Sequence, residues 1–341
     1  MKKLFSLLTV LSLTAALLSG CSAGGSATPA PSGSAAASAS AEVSDSGTPI
    51  HVGIVQLVEN GAFADMRKGF IDHMRELGYD ESKMEFDFQE AGGDVATLNT
   101  ICQSMVDKKV DLLVTIATPP TQAAVSLGSD IPVFFISVSN PVAAGVVTDM
   151  AHPDKNATGT SNAIPVEEIF KLAKELTPDV KTYGILYNSG ETNSVNTVSQ
   201  VKAYLDGQGI AYKEAVVSAS GEVQAAAQAL ADQVDAIYVP NDSMIQSAMP
   251  QVVEVANAAG IPVYGSSPVM VQSGALATVS TSDPDIGALT ADMVQKYLTG
   301  TPVADIPAVV VQDHITVANA ATAAALGITI PDSLNATLIG S

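Results

Sequence analysis

The sequence predicts an α/β chain of two similar lobes, each a mostly parallel sheet with helices on both faces, joined by a hinge. Short β-rich apolar runs alternate with longer stretches of helical period throughout the body of the 341 residues. The same local patterns then recur in the same order in the second half, which points to two lobes of like topology.

The first residues read as an address label. Lys2 and Lys3 precede an apolar stretch from Leu4 to Leu18 and the small residues Ser19 and Gly20, the order of an export signal over residues 1–20. That stretch is shorter than the roughly 20 residues of a bilayer-spanning helix. Leu18-Ser19-Gly20-Cys21 resembles the bacterial lipobox, which implies acylation of Cys21 and a membrane held through a lipid anchor on the extracytoplasmic face. From Cys21 to Thr48 the chain is almost entirely Ser, Ala, Gly, Thr and Pro, too poor in apolar volume to fold, and is expected to act as a tether spanning about 30 Å.

The body begins near Pro49. Strands are expected at His51 to Leu57, Met84 to Phe88, Asp111 to Ala117, Pro132 to Val138, Thr182 to Tyr187, Tyr212 to Val217, Ala236 to Val239, Pro262 to Tyr264, Ala275 to Val279 and Ala308 to Val311. Helices are expected at Ala64 to Leu77, Val95 to Lys108, Val166 to Leu176, Asn193 to Asp206, Glu222 to Gln233, Ser243 to Ala259 and Ile286 to Leu298. The repeat is visible in Val52-Gly53-Ile54-Val55 against Tyr183-Gly184-Ile185-Leu186. It recurs in Val110-Asp111-Leu112 against Val234-Asp235-Ala236, and in Ile131-Pro132-Val133 against Ile261-Pro262-Val263.

Composition excludes some partners. With 15 basic and 35 acidic residues the chain carries a formal charge of −20, and loss of Lys2 and Lys3 with the signal deepens it by two. Nothing of that sign could neutralise a run of phosphates, so nucleic acid is excluded. With Cys21 acylated, Cys102 has no partner, and its helical setting makes it a small buried apolar residue. The sequence holds no phosphate loop, no nucleophile elbow and no paired histidines at metal-ligand spacing, so no catalytic residue, metal or cofactor is expected.

In open parallel sheets ligands bind beyond the carboxyl ends of the strands. In the first half those loops carry Gln56, Glu59 and Asn60, then Thr118 to Thr121, then Ser137, Ser139 and Asn140. In the second they carry Asn188, Ser189, Glu191 and Asn193, then Asn241 and Asp242, then Ser266 and Ser267. Thr118, Asn193, Asp242 and Ser243 are equally good helix caps, so capping and binding stay open for each. Matching polar loops in both halves favour one cleft shared by two facing lobes.

The body also resembles the ABC-transporter substrate-binding lipoproteins of type I periplasmic-binding-protein fold, in the branch associated with tryptophan and other aromatic amino acids. The resemblance rests on Gly53-Ile54-Val55-Gln56-Leu57-Val58-Glu59, Ile116-Ala117-Thr118-Pro119, Asn140-Pro141-Val142-Ala143-Ala144-Gly145, Ala236-Ile237-Tyr238-Val239-Pro240 and Gly327-Ile328-Thr329-Ile330-Pro331. It implies two Rossmann-like lobes, residues 49–162 with 283–310 and residues 163–282 with 311–341, joined by crossing segments. It also implies a small polar solute in the cleft, an amino acid, aromatic or otherwise, and ABC permease subunits as partners of a monomer.

The expected ligand set is Gln56, Glu59, Thr118, Ser139, Asn140 and Asn162 from the first half, and Asn188, Asn193, Asp242 and Ser266 from the second. Where the branch commonly has Ser-Asp this sequence has Ser161-Asn162, which takes a charge from the ammonium side and leaves Glu59 or Asp242 to supply it. It also has Ser266-Ser267-Pro268 where the branch often has an acidic turn. Phe63, Tyr187 and Tyr264 are candidate ring walls, with core packing the alternative for the two tyrosines. A sensing receptor of the same fold and a surface hydrolase stand as the alternative functions.

Overall fold

The computed structural model describes residues 47–340. The export signal, the acylation motif ending at Cys21 and the tether up to residue 46 lie outside the described residues. Among the described residues no helix is long and apolar enough to cross a membrane.

The first half runs β1 (Ile50–Gln56), α1 (Gly61–Glu76), β2 (Met84–Glu90), α2 (Val95–Lys108), β3 (Leu112–Ile116), α3 (Thr118–Ser126), β4 (Val133–Ile136) and β5 (Ala157–Ser161). The second half continues with α4 (Val166–Leu176), β6 (Thr182–Asn188), α5 (Thr192–Gln208), β7 (Ala211–Val217), α6 (Val223–Ala231) and β8 (Ala236–Tyr238). It then adds α7 (Ser243–Ser247), α8 (Met249–Ala259), β9 (Val263–Tyr264), α9 (Pro268–Gln272) and β10 (Ala277–Ser280). The chain ends through α10 (Asp283–Leu298), β11 (Val309–Val310), β12 (Ile315–Asn319), α11 (Ala320–Ala325) and β13 (Thr337–Ile339).

Two sheets result, ordered β11-β5-β4-β3-β1-β2 and β13-β12-β10-β9-β8-β6-β7. Each contains the same five-strand run, with its first strand between its second and third, and the run is parallel throughout. β12 joins the second sheet antiparallel to β10. The chain passes between the sheets three times, after Ser161, after Ser280 and after Val310.

The repeated sequence patterns have physical work to do. Asp111 accepts a hydrogen bond from the His51 amide at 2.7 Å, and Asp235 accepts from the Lys181 and Thr182 amides at 2.9 Å each. In both lobes, then, a carboxylate at the start of the third strand ties down the start of the first. Gly53 and Gly184 sit at matching places, where a methyl would stand 2.9 Å from Leu113 in one lobe and 3.2 Å from Leu230 and Val234 in the other. The missing side chain lets the covering layer settle close to the sheet.

Strands β3, β4, β5 and β10 are buried along their whole length, as central strands covered on both faces must be. Apolar packing lies on both faces of each sheet. β5 is the unusual member, because Ala-Thr-Gly-Thr-Ser offers little apolar surface. Its hydroxyls are satisfied at long range: Thr158 donates to the Ile306 carbonyl at 2.7 Å, and Thr160 pairs with Thr290 of α10 at 2.9 Å. Those partners are invisible to local pattern, and β5 was not expected; nor were the short β12, β13, α9 and α11.

Two helical expectations change in detail. Ser243 to Ala259 is two helices broken at Ala248, because Pro250 lacks an amide hydrogen and its ring crowds the preceding turn. Thr118-Pro119-Pro120, read as a loop, is the first turn of α3, where proline's missing N–H has no partner to lose.

Gly159 has φ +156°, and a methyl there would stand 2.0 Å from the Phe135 carbonyl oxygen on β4. Gly159→Ala is therefore expected to cost about 3 kcal/mol or more, read from urea unfolding midpoints. Gly207→Ala, in open space on α5, should be neutral or stabilising by about 0.5–1 kcal/mol. Equal midpoints for the two variants would contradict this packing.

Candidate functional site

Strand-end loops of both sheets line one small chamber of about 40 Å³, a volume that holds a few waters. The first sheet contributes Ala117 and Thr118 after β3, Ser137 and Ser139 after β4, and Asn162 after β5. The second contributes Asn193 on α5, Asn241 to Ser243 and Gln246 after β8, and Ser266 and Ser267 after β9. Ala62, Phe63 and Met66 on the first turns of α1 form an apolar wall, and Asp283 opens α10.

The backbone is strained where it meets the chamber. Ala117 and Ser137 take φ of 73° and 64°, a left-handed region that side-chain-bearing residues rarely adopt. They end adjacent strands, and both line the chamber. Such strain, held by the surrounding fold, concentrates at binding sites. Ala117 also occupies the cap position of α3 and gives it no side-chain cap.

The chamber gathers unmatched polar atoms. Thr118 Oγ1, Asn162 Oδ1, Asn193 Oδ1 and Asp283 Oδ1 are all buried without a hydrogen-bond partner. Buried polar groups are ordinarily paired, so four orphans around one cavity leave unfilled hydrogen-bonding capacity there. Asp283 is the most costly of them. It is 3% exposed, and burial, with the charge of Asp65 on α1 as a second cause, pushes its carboxyl up to about 8. No lysine or arginine lines the chamber to compensate it.

The other buried acids are structural. Asp242 caps α7, taking the Ile245 amide at 3.0 Å on one oxygen and the Asn188 amide and Ser194 hydroxyl at 2.6 and 2.8 Å on the other. Glu191 accepts the Ser243 and Met244 amides at 3.1 and 3.2 Å. Burial raises both carboxyls, and for Glu191 the nearby Asp242 charge adds to it. Their oxygens are occupied by the start of α7, which leaves no lone charge for a guest.

Of the residues singled out in sequence, the chamber brings together Thr118, Ser139, Asn162, Asn193, Asp242 and Ser266. The other four stand elsewhere. Gln56 and Glu59 bind the Arg67 guanidinium, Gln56 at 2.8 Å and Glu59 through two bonds of 3.0 and 3.1 Å, with Arg67 lying 3.9 Å over the Phe88 ring. Glu59 thus spends its charge on Arg67. Asn140 caps its own turn through the Ala143 amide at 3.0 Å. Asn188 accepts from the Gly190 amide at 2.8 Å and lines a separate open groove of about 720 Å³, with Leu57, Val58, Gly93, Val95 and Met244.

Thr118 and Asn193 are not caps, since they lie inside α3 and α5, whereas Asp242 is one. Tyr264 is fully buried with its hydroxyl on Thr177 at 2.7 Å, and Tyr187 reaches Glu214 at 3.0 Å, so Phe63 alone of the three rings faces the chamber. Asp283 was missed. Its only local signal is Ser282-Asp283-Pro284, which reads as an ordinary helix start with an acid in the first turn.

Hydrogen bonds join the lobes beside the chamber. Asn241 donates to Ser139, and Gln246 donates to Asn60 at 3.0 Å while accepting from Ser267 at 2.7 Å. Asn60 also caps α1 through the Phe63 amide at 3.0 Å, so this chain runs from the cap of α9 to the cap of α1.

Comparison with known proteins agrees with this architecture. The family model for ABC transporter substrate binding proteins matches residues 51–338. A tyrosine-binding protein of Clostridioides difficile (strain R20291) is 34% identical over 326 residues, covering 95% of this chain and 92% of that protein. An ABC domain from Streptococcus pneumonia in complex with L-Trp superimposes with a TM-score of 0.82 at 34% identity, covering 85% of this chain and 99% of the other. The ligand-free, open structure of a substrate-binding protein with adhesive properties from Clostridium difficile, also at 34% identity, covers 85% and 98% but reaches only 0.66. The fold is the two-lobed type I periplasmic-binding-protein fold, and the chain belongs to the family of ABC transporter substrate binding proteins.

Proposed function

We propose that the chamber binds a free L-amino acid with an apolar or aromatic side chain and that the protein delivers it to an ABC permease. The observation that carries this reading is Asp283, a buried carboxylate with an unpartnered oxygen and no cation beside it. Asn162, Asn193 and Asp283 offer three unpartnered acceptor oxygens, the number of N–H donors on an ammonium group. Thr118 offers a hydroxyl to the guest's carboxylate. The wall of Ala62, Phe63 and Met66 suits an apolar or aromatic side chain. Relatives named for tyrosine binding and solved with L-Trp support that class.

Acceptors on both lobes give the guest contacts that exist only when the lobes meet, so binding shifts the population toward the closed form. The chamber is tight, and such a guest must enter with the lobes apart. No bond is made or broken in this reading; the protein is a carrier and not an enzyme. The motif ending at Cys21 and the tether behind it support a lipid-anchored monomer working at the outer face of the cell membrane.

Isothermal titration with L-tyrosine, L-tryptophan, L-phenylalanine, L-leucine and L-alanine is expected to show one-site binding to at least one of them, with the aromatic acids tightest. Heat from none of the five would remove the proposal. Asp283→Asn should weaken the tightest binder about a hundredfold or more, because an ion pair in a dry site is lost.

The ammonium needs the ionised carboxylate, whereas the empty site holds it mostly protonated at neutral pH. Affinity should therefore rise as pH rises from about 6 to 8, and binding should release a proton, seen as a dependence of the heat on buffer ionisation. A flat profile with no buffer dependence would count against Asp283 as the partner.

Stability should move the other way. A carboxyl whose folded value is raised destabilises the fold above its unfolded value near 3.8, and the cost grows until pH approaches about 8. Without ligand at pH 7, Asp283→Asn is thus expected to raise the unfolding midpoint, with no gain below about pH 4. Asp242→Asn, which replaces one of two acceptor oxygens with an amide NH2 that cannot accept, should lower stability by about 1–3 kcal/mol. Shifts of the same sign would show that the two acids do not differ as described.

A further inference from the structure

The acceptor at Asp283 depends on how closely α10 approaches α1, and two glycines set that approach. On α1, a methyl at Gly69 would stand 2.1 Å from the Pro284 carbonyl oxygen and 2.8 Å from the Pro284 Cα. On α10, a methyl at Gly287 would stand 2.1 Å from the Met66 carbonyl oxygen and 2.9 Å from the Phe70 amide nitrogen. Neither distance is open to a real Cβ, and in each case the obstacle is backbone, which cannot rotate away. The two helices therefore touch backbone to backbone, and at sites that matter for the chamber. Pro284 follows Asp283 directly, and Met66 belongs to the apolar wall.

The rest of α10 is fixed independently. Thr290 pairs with Thr160 of β5 at 2.9 Å, and Ile286, Ala291, Met293 and Val294 are buried in the core of the first lobe. A methyl at either glycine cannot be relieved by sliding the whole helix, because that would break the Thr160 contact and lift four buried side chains. The free end is the first turn, which carries Asp283 and has no side-chain cap. The first turn is where the displacement must appear.

We propose that Gly69 and Gly287 are positioning residues for the ligand site: by allowing backbone contact between α1 and α10 they hold the Asp283 carboxylate in the chamber in line with the Met66 wall. This rests on the amino-acid reading above. It adds that affinity is tuned at the contact between the two helices, by residues that do not line the chamber.

The test uses the full chain and the tightest binder of the five L-amino acids, titrated by calorimetry from pH 5 to 9. Gly287→Ala and Gly69→Ala are expected to fold, to bind about tenfold or more weakly, in the range that an ångström of misplacement costs, and to move the midpoint of the affinity–pH curve at least one unit down. The last effect is the decisive one, because a carboxylate swung out of the chamber gains water and titrates nearer its ordinary range. Gly207→Ala should change neither quantity.

Alanine variants that lose affinity while keeping the wild-type midpoint would overturn the positioning role, and so would variants that keep both. Failure of both variants to fold would overturn it as well, since the contact would then serve the fold as a whole. If the wild-type chain binds none of the five, or Asp283→Asn binds as tightly as wild type, the amino-acid reading fails first. If Asp283→Asn loses binding and the glycine variants do not, only the positioning role fails.

Discussion

A carboxyl group buried in a cavity without a counter-charge is the constraint around which this molecule is arranged. Removing an ionised group from water costs several kcal/mol even after relaxation, and burial with the Asp65 charge nearby therefore pushes the Asp283 carboxyl, one oxygen of which is unpartnered, up to about 8. The fold tolerates it because α10 is anchored elsewhere, through Thr290 on β5 and a row of buried apolar side chains. Local instability at the start of one helix is thus carried by the packing of its remainder, a division common where a site must stay ready for a guest.

The second lobe shows the opposite solution with the same residue types. Asp242 and Glu191 are as deeply buried as Asp283, yet their oxygens are filled by backbone amides at the start of α7 and by Ser194 and Asn193. These acids hold two loops in register and present Asn193, Asn241 and Ser243 to the chamber. The acids of this lobe are thereby satisfied, although Asn193 Oδ1 beside them is not, whereas Asp283 on the first lobe's side keeps an unpartnered oxygen. The bonds from Asn241 to Ser139 and from Gln246 to Asn60 run along the seam between the two lobes.

The symmetry of the two lobes is real at the level of sheets and broken at the level of the site. Asp111 and Asp235 anchor equivalent strands, and Gly53 and Gly184 admit equivalent close packing. At the chamber the likeness ends. The first lobe brings strained strand ends, the apolar face of α1 and the acid of α10, whereas the second brings capped helix starts and small hydroxyls. The two sides of the chamber therefore differ in chemistry.

By itself the sequence determined the alternating α/β architecture, its duplication and most element positions, because periodicity and the anchoring Asp and Gly residues are local or repeated signals. α2 and α4 have the bounds that their patterns predict. It also placed six of ten chosen polar residues around one chamber, since strand ends in parallel sheets converge. Tertiary structure decided what local pattern does not encode. β5 exists because Thr158 and Thr160 find partners 148 and 130 residues away. Glu59 is removed from the site because Arg67 takes its charge, and Asp283 enters it because α10, which follows β10 of the second sheet in the chain, returns to pack on the first lobe. Which acid is neutralised and which is left bare depends on distances between segments far apart in the chain, and composition carries no record of those.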